Sequence, residues 1–141
     1  MISSTGQLPT TVTHIAGQKF AIQIRSHTII VDQTIRGGGD DTAPTPIELL
    51  GASIGSCVAY YVRQFLERRS LPTGGLRVEV TQQGAAHPAR ITDFQVRVEL
   101  AHDVPAHLKP VLARVIEVCP AYNTLSLGAN VSVAFGAPVS V

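Results

Sequence analysis

Charged residues are scarce in this chain of 141 residues: Asp, Glu, Lys and Arg make up 15% of it, whereas hydrophobic residues make up 45%. This composition is typical of a folded domain, and it leaves few charges to cover the surface of a monomer, so we expect a self-association interface. The formal net charge is +1 and no dense run of Lys and Arg occurs. Nucleic acid and anionic membranes are therefore not expected partners.

Long apolar runs and targeting signals are also missing. No stretch approaches the roughly 20 continuous apolar residues of a membrane span. The opening MISSTGQLPT has neither the basic nor the apolar region of a signal peptide, so the cytoplasm is the expected location. No internal repeat occurs, and the length predicts a single domain over residues 1–141.

Cysteine is nearly absent, and the chain has only Cys57 and Cys119. Two cysteines are too few for a disulfide scaffold, and in a reducing compartment such a pair indicates buried thiols or redox chemistry. The five histidines show no metal-ligand spacing. The RGGGDD stretch lacks the Lys-Ser/Thr ending of a phosphate loop, and its aspartates would repel phosphate. We expect no bound metal or cofactor.

The first half of the chain predicts strands followed by one long helix. Apolar residues at spacings of 4, 3, 4 and 4 form a helical stripe with Cys57 near its middle. Pro46 suits the first turn of this helix, which is expected to end near Arg69. Alternating apolar residues predict three preceding strands, at 11–16, 20–24 and 27–33. Gly, Pro and Asp residues then predict a long loop at 34–46.

The second half predicts a hairpin, a second helix and a final strand. The helix is expected from Asp103 to Cys119, where Pro120 disfavours helical geometry. A short turn or helix through AYNTLSLG then leads into the last strand, NVSVAF. The hairpin strands are predicted at 76–82 and 91–100. The sum is an α+β domain with antiparallel sheet.

Both cysteines lie on the inward stripes of separate predicted helices. A cysteine in such a place is more often a small core residue than a catalyst, and the small residues around Ile54 fit close helix packing as well as space for a thiol. A reactive thiolate would need a nearby cation, for which Arg36 and Arg25 are the candidates. Cys119, expected at the negative end of a helix, would be the poorer thiolate. This asymmetry favours Cys57 as the attacking thiol and Cys119 as the resolving one.

Two segments then make a family recognisable. TAPTPIELLGASIGSCVAYYVRQFLERRSLP, and later VCPAYNTL before the final strand, resemble the OsmC/Ohr family, named for osmotically inducible protein C and organic hydroperoxide resistance protein. The resemblance covers most of the chain from about Ile30 onward. It implies an OsmC-like fold with a long central helix and a second, cysteine-bearing helix. It also implies an intertwined homodimer whose two sites lie at the subunit interface, each with two cysteines, an arginine and a glutamate.

In the characterised peroxidases of this family, the first cysteine attacks an organic hydroperoxide and becomes a sulfenic acid. The second cysteine condenses with it to a disulfide, and a dithiol such as dihydrolipoamide, free or on a lipoyl-bearing protein, restores both. The resemblance places Cys57 and Cys119 in these roles and Arg36 at about the position of the arginine. The best-characterised members carry the glutamate directly after the proline, where this chain has Ile47 and then Glu48, as in a branch with Pro-x-Glu-Leu-Leu.

The resemblance therefore implies a thiol-dependent peroxidase that reduces organic hydroperoxides through a Cys57–Cys119 disulfide. An alternative is an OsmC-like dimer that binds a small molecule or senses redox state with little turnover. The displaced Glu48 favours this alternative, because one step along a helix turns a side chain by about 100°. A purely structural role for both cysteines is a third interpretation.

Overall fold

The computed structural model describes residues 9–136 of the chain. Five strands and three α-helices form an α+β arrangement with antiparallel sheets, which confirms the predicted fold class. No helix in the described residues is both long and apolar enough to cross a membrane. The elements are β1 (Thr11–Ala16), β2 (Lys19–Ile24), β3 (His27–Val31), α1 (Pro46–Arg68), β4 (Arg77–Ala86), β5 (Ala89–Glu99), α2 (Lys109–Ala113) and α3 (Pro120–Leu127).

The strands β1, β2 and β3 form an antiparallel meander that stands apart from the rest of the described chain. Val12 on β1, Ile22 on β2 and Ile29 on β3 are cross-strand partners, so they form one apolar row on one face. Val12 and Ile29 are exposed, at 57% and 39%. Between residues 9 and 136, no helix packs extensively on this sheet. The meander thus presents an uncovered apolar face.

The helix α1 begins at Pro46 because Thr45 caps it. The Thr45 hydroxyl accepts a hydrogen bond from the Glu48 backbone N–H at 3.2 Å, and the Glu48 carboxylate accepts one from the Thr45 N–H at 3.0 Å. This reciprocal pair is a capping box, which satisfies two N–H groups at the helix start. The predicted helix from Pro46 to about Arg69 is confirmed.

The core lies between α1, the β4–β5 hairpin and the segment that follows it. Two glycines of α1 make the close approach to the hairpin possible. A Cβ atom on Gly55 would lie 2.8 Å from Cγ2 of Val80 on β4, and one on Gly51 would meet the side chain of Gln82. Helix-to-sheet packing therefore accounts for both glycines before Cys57. The buried apolar residues of the core are Ile54, Val58, Val62, Phe65, Leu66, Val104 and Cys119.

The second predicted helix, from Asp103 to Cys119, is broken into short pieces. Single 3₁₀ turns at Ala106–Leu108 and Val115–Val118 flank the five-residue α2. Pro110 has no N–H to donate and cannot continue a helical ladder from the preceding turn. The apolar residues whose spacing predicted one helix therefore lie on successive short helical turns instead.

The predicted last strand is also wrong for this structure. Residues 128–136 form no strand, and alternate residues that would face a core are exposed: Val131 at 86%, Val133 at 76% and Phe135 at 94%. A strand needs a neighbouring edge to satisfy its backbone hydrogen bonds. The described chain brings no such edge to this segment.

Candidate active site

Cys57 lies on α1 and is half-buried at the wall of a groove. The groove has a volume of about 500 Å³ and lies between α1 and α3. It is lined by Leu50, Ser53, Ser56, Pro120, Ala121, Thr124 and Leu125 in addition to Cys57. A molecule with an apolar body can therefore contact the Cys57 thiol without displacing the core.

Cys119 is fully buried, at 0% exposure, where the turn Val115–Val118 meets α3. It is the N-cap residue of α3, and its Sγ accepts a hydrogen bond from the Tyr122 N–H at 3.5 Å. Cys119 was expected at the C-terminal end of a long helix; it does close the 3₁₀ turn Val115–Val118, but no long helix ends there. Because α3 begins at Pro120, the sulfur lies at the positive end of the next helix.

Cys57 packs against the buried cluster that contains Cys119, and both cysteines are free thiols. The pKa of Cys119 is raised, first by burial and then by a hydrogen bond with the Cys57 thiol, against the opposing effect of the Tyr122 and Ala121 N–H groups. Tyr61, one turn after Cys57, belongs to the same cluster. Burial raises the pKa of Tyr61, and negative charge on either cysteine would raise it further. Cys119 is therefore held as a neutral thiol beside Cys57.

The two candidate arginines lie on different loops. Arg36 is exposed on the loop between β3 and α1, and Arg25 occupies the turn between β2 and β3 with a φ of 53°. Within residues 9–136, no ion pair or side-chain hydrogen bond links either arginine to Cys57 or Cys119. Which arginine serves the thiols stays a prediction.

Glu48 is exposed and its carboxylate is occupied at the start of α1. Hydrogen bonds from Thr45, first from its backbone N–H and then from its side chain, lower the pKa of Glu48. The observed task of this carboxylate is to hold the helix N-terminus. Its catalytic role stays a prediction.

Asp32, which the sequence placed at the end of a strand, organises the loop that carries Arg36. Its side chain is 1% exposed, and its carboxylate accepts hydrogen bonds from the Gln33 N–H at 2.8 Å and from the Thr42 N–H and hydroxyl at 3.1 and 2.8 Å. These bonds, led by that of the Thr42 N–H, lower the pKa of Asp32 to about 2. The carboxylate thus joins the two ends of the loop. The sequence offered one signal for this arrangement: an Asp and a Thr stand on either side of a Gly-rich stretch, and both side chains favour hydrogen bonds to nearby backbone groups.

In the described part of the chain, no three His, Cys, Asp or Glu side chains are grouped so that they could hold a metal ion. The chemistry that this arrangement supports is that of the two thiols.

The family described as OsmC-like protein matches residues 38–134. A comparison with curated protein sequences gave no match.

Solved structures share the fold at low sequence identity. A protein from Psychrobacter arcticus, named for osmotic stress induction and detoxification response, is 19% identical with a TM-score of 0.77, covering 87% of this chain and 91% of that one. An OsmC-like protein from Mycoplasma pneumoniae is 15% identical with a TM-score of 0.72, covering 86% and 89%. An organic hydroperoxide resistance protein OsmC from Legionella pneumophila is 16% identical with a TM-score of 0.58, covering 86% and 91%. With most of its length matched by the family and its fold shared across these structures, the chain belongs to the OsmC family.

Proposed function

We propose that this protein is a thiol peroxidase that reduces organic hydroperoxides. The observation that carries the proposal is the pairing of a half-buried Cys57, which faces an apolar groove, with a fully buried Cys119 beside it. An accessible thiol with a second thiol in the same packed cluster is the arrangement that a two-cysteine redox cycle uses. Several solved structures with this fold are named organic hydroperoxide resistance proteins, which supports the same class of substrate.

In the proposed reaction the two cysteines act in turn. The Cys57 thiolate attacks one peroxide oxygen, the O–O bond breaks, and the departing alkoxide takes a proton to leave as an alcohol. Cys119 then attacks the sulfur of the Cys57 sulfenic acid, and water leaves as the disulfide forms. An external dithiol of the dihydrolipoamide type supplies the two electrons and two protons that restore both thiols. The apolar groove favours organic hydroperoxides over hydrogen peroxide.

The proposed active unit is a homodimer. The apolar row of the β1–β2–β3 meander is exposed, and low charge density is typical of a surface that associates. A second copy that covers this face buries the row and places loops of one protomer near the thiols of its partner. We propose that Arg36 reaches the thiol site in this assembly and that Glu48 acts there with it. Sedimentation equilibrium should give twice the chain mass of 15.0 kDa.

The test is hydroperoxide consumption with dihydrolipoamide as reductant. Wild type should turn over cumene and fatty-acid hydroperoxides, Cys57→Ser should be inactive, and Cys119→Ser should complete about one turnover and stop. Thr81→Ser is the control, because Thr81 is exposed on β4 and does not line the groove. Equal, negligible rates for wild type and Cys57→Ser would refute the proposal.

A redox-sensing or small-molecule-binding dimer is the second candidate function. It is favoured by one observation: the Glu48 carboxylate is occupied by the helix cap. The same assay separates the two functions. A sensor forms the Cys57–Cys119 disulfide with one equivalent of hydroperoxide but shows no sustained consumption when dihydrolipoamide is in excess.

A further inference from the structure

The loop between β3 and α1, which carries Arg36, is folded back on itself by backbone hydrogen bonds. At the tip of the loop, the Thr34 carbonyl accepts from the Gly39 N–H at 2.9 Å, so Arg36 lies inside a closed turn. At the base, the Asp32 N–H donates to the Pro44 carbonyl at 3.1 Å. The loop therefore has a defined backbone conformation from its base to its tip.

The Asp32 carboxylate lies inside this loop and joins its outgoing and returning halves. One oxygen accepts from the Gln33 N–H at 2.8 Å, and the other accepts from the N–H and the hydroxyl of Thr42 at 3.1 and 2.8 Å. A Cβ atom on Gly39 would lie 2.6 Å from the same carboxylate, so the glycine lets the returning half pass close over it. The loop is thus folded around one buried side chain, which is 1% exposed.

The order in this loop does not serve the hydrophobic core. Among the described residues, the buried core and the apolar side chains packed against it include none from 33–42. Ile35 is the one apolar residue of that range, and it is 71% exposed. A carboxylate removed from water is costly unless hydrogen bonds compensate it, and here the compensating bonds order a segment that buries no apolar side chain. What the ordered loop presents to its surroundings is the tip with Ile35 and the exposed Arg36.

The loop is also fixed to the β1–β2–β3 meander. Lys19 on β2 donates a hydrogen bond to the Asp40 carboxylate at 2.5 Å, so the returning half of the loop is held against the sheet. This sheet is the one that we propose is covered by a second copy of the chain. The position of Arg36 relative to the partner subunit is therefore set by the fold of one protomer.

We propose that Asp32 is a positioning residue for the thiol site: its carboxylate fixes the loop so that Arg36 is held ready to stabilise the Cys57 thiolate of the partner subunit. Because the loop is ordered before the subunits meet, little conformational entropy is lost when the guanidinium takes its place beside the thiol. Asp32 acts through Arg36 and is not itself a catalytic residue. The inference rests on the proposed place of Arg36, but it does not require turnover of hydroperoxide.

The experiment measures the rate of Cys57 alkylation by iodoacetamide against pH, read by mass spectrometry of the peptide that contains Cys57. Asp32→Asn removes the charge and one acceptor oxygen. Thr42→Val and Thr42→Ser are a matched pair, because the first removes the hydroxyl that donates to Asp32 and the second keeps it. Each variant is also made together with Arg36→Ala, and all are measured at one protein concentration, in the assembly state that sedimentation equilibrium gives for wild type.

We expect Asp32→Asn to slow alkylation below its midpoint by about tenfold, as Arg36→Ala does. Thr42→Val should slow it by about threefold, whereas Thr42→Ser should keep the wild-type rate. In proteins that already carry Arg36→Ala, neither Asp32→Asn nor Thr42→Val should slow it further, because the guanidinium through which they act is gone.

A direct electrostatic effect of Asp32 would have the opposite sign. Loss of a negative charge favours the thiolate, so it would speed alkylation rather than slow it. The pKa of Asp32 is about 2, so the carboxylate stays ionised over the measured range and adds no step of its own to the profile.

The proposal is overturned if Asp32→Asn and Thr42→Val react as fast as wild type, or if they slow alkylation equally with and without Arg36. If Asp32→Asn fails to fold, the Thr42 pair decides the outcome. Hydroperoxide consumption by wild type together with normal alkylation of both variants refutes only the positioning role. Coupling between Asp32 and Arg36 without any hydroperoxide consumption supports the positioning role and refutes only the peroxidase.

Discussion

The substitution Gly55→Ala tests how closely α1 lies on the hairpin. In a helix interior alanine is favoured over glycine by about 1 kcal/mol, so propensity alone predicts a more stable protein. The structure predicts the opposite, because the added methyl would lie 2.8 Å from Cγ2 of Val80. Val80 is β-branched and has little χ1 freedom, so the backbone of α1 or β4 must move instead.

The expected magnitude follows from these two opposing effects. Overpacking of this kind costs about 1 to 3 kcal/mol, which exceeds the gain in helix propensity. We therefore expect Gly55→Ala to lower the free energy of unfolding by about 1 kcal/mol. For a domain of this size that is a fall in Tm of about 3 °C.

Urea unfolding followed by circular dichroism measures the effect, at one fixed protein concentration because association adds to apparent stability. A cycle with Val80→Ala isolates the contact, since removing the Val80 methyls should relieve the strain. We expect the double variant to lose about 1 kcal/mol less free energy of unfolding than the two single variants lose together.

Gly51→Ala is the control for Gly55→Ala. Its methyl would meet the end of the flexible Gln82 side chain, which can turn away at the loss of one hydrogen bond to the Ile47 carbonyl. Its loss of stability should therefore be smaller. A Gly55→Ala protein that is more stable than wild type, or single effects that simply add, would refute the reasoning.

Three further predictions concern the loop and the start of α1. Because the pKa of Asp32 is about 2 in the folded state and 3.8 is its ordinary value, its carboxylate stabilises the fold above about pH 4, and this stabilisation is lost as pH falls toward 2. The gap in urea midpoint between wild type and Asp32→Asn should therefore shrink over that range, and a constant gap would contradict it. Glu48→Gln keeps a group that can accept from Thr45 but loses the negative charge at the helix N-terminus, so we expect a slightly lower Tm. The peroxidase rate should fall at least about tenfold if the carboxylate acts in catalysis, and full activity would remove it from the mechanism. Arg36→Ala should slow hydroperoxide consumption and Cys57 alkylation by about tenfold or more, with Arg25→Ala as the control, and an unchanged alkylation profile would exclude Arg36.

Local signals in the sequence were sufficient for the elements that fold on themselves. Pro46 and the apolar stripe located α1, and alternation located β1, β2 and the hairpin, because these patterns reflect contacts between near neighbours. The prediction of one helix from Asp103 to Cys119 was wrong because an apolar stripe does not reveal whether successive turns join into one helix. The final strand failed because a strand also requires an edge to pair with, which its own residues do not encode.

Some features of the candidate site could likewise be predicted from the sequence, and others could not. The pairing of Cys57 with Cys119 followed from their inward stripes and from the family resemblance. The role of Cys119 as the N-cap of α3 could in principle be predicted, since a proline at the first helical position indicates that the residue before it is the N-cap. Burial of the Asp32 carboxylate could not be predicted from the sequence, because it depends on how the loop folds back so that Thr42 meets Asp32.

Folding of the β1–β2–β3 meander depends on something outside it. Each strand pairs only with its neighbour in sequence, so both hairpins can form early and from local contacts. The open apolar face, in contrast, gains no burial energy until another surface covers it. In a newly made chain the open face and the edges of this sheet are therefore available to chaperones and to mistaken strand pairing. In the proposed homodimer, the abundance of the protein in a cell would set how long that exposure lasts, through the rate at which copies meet.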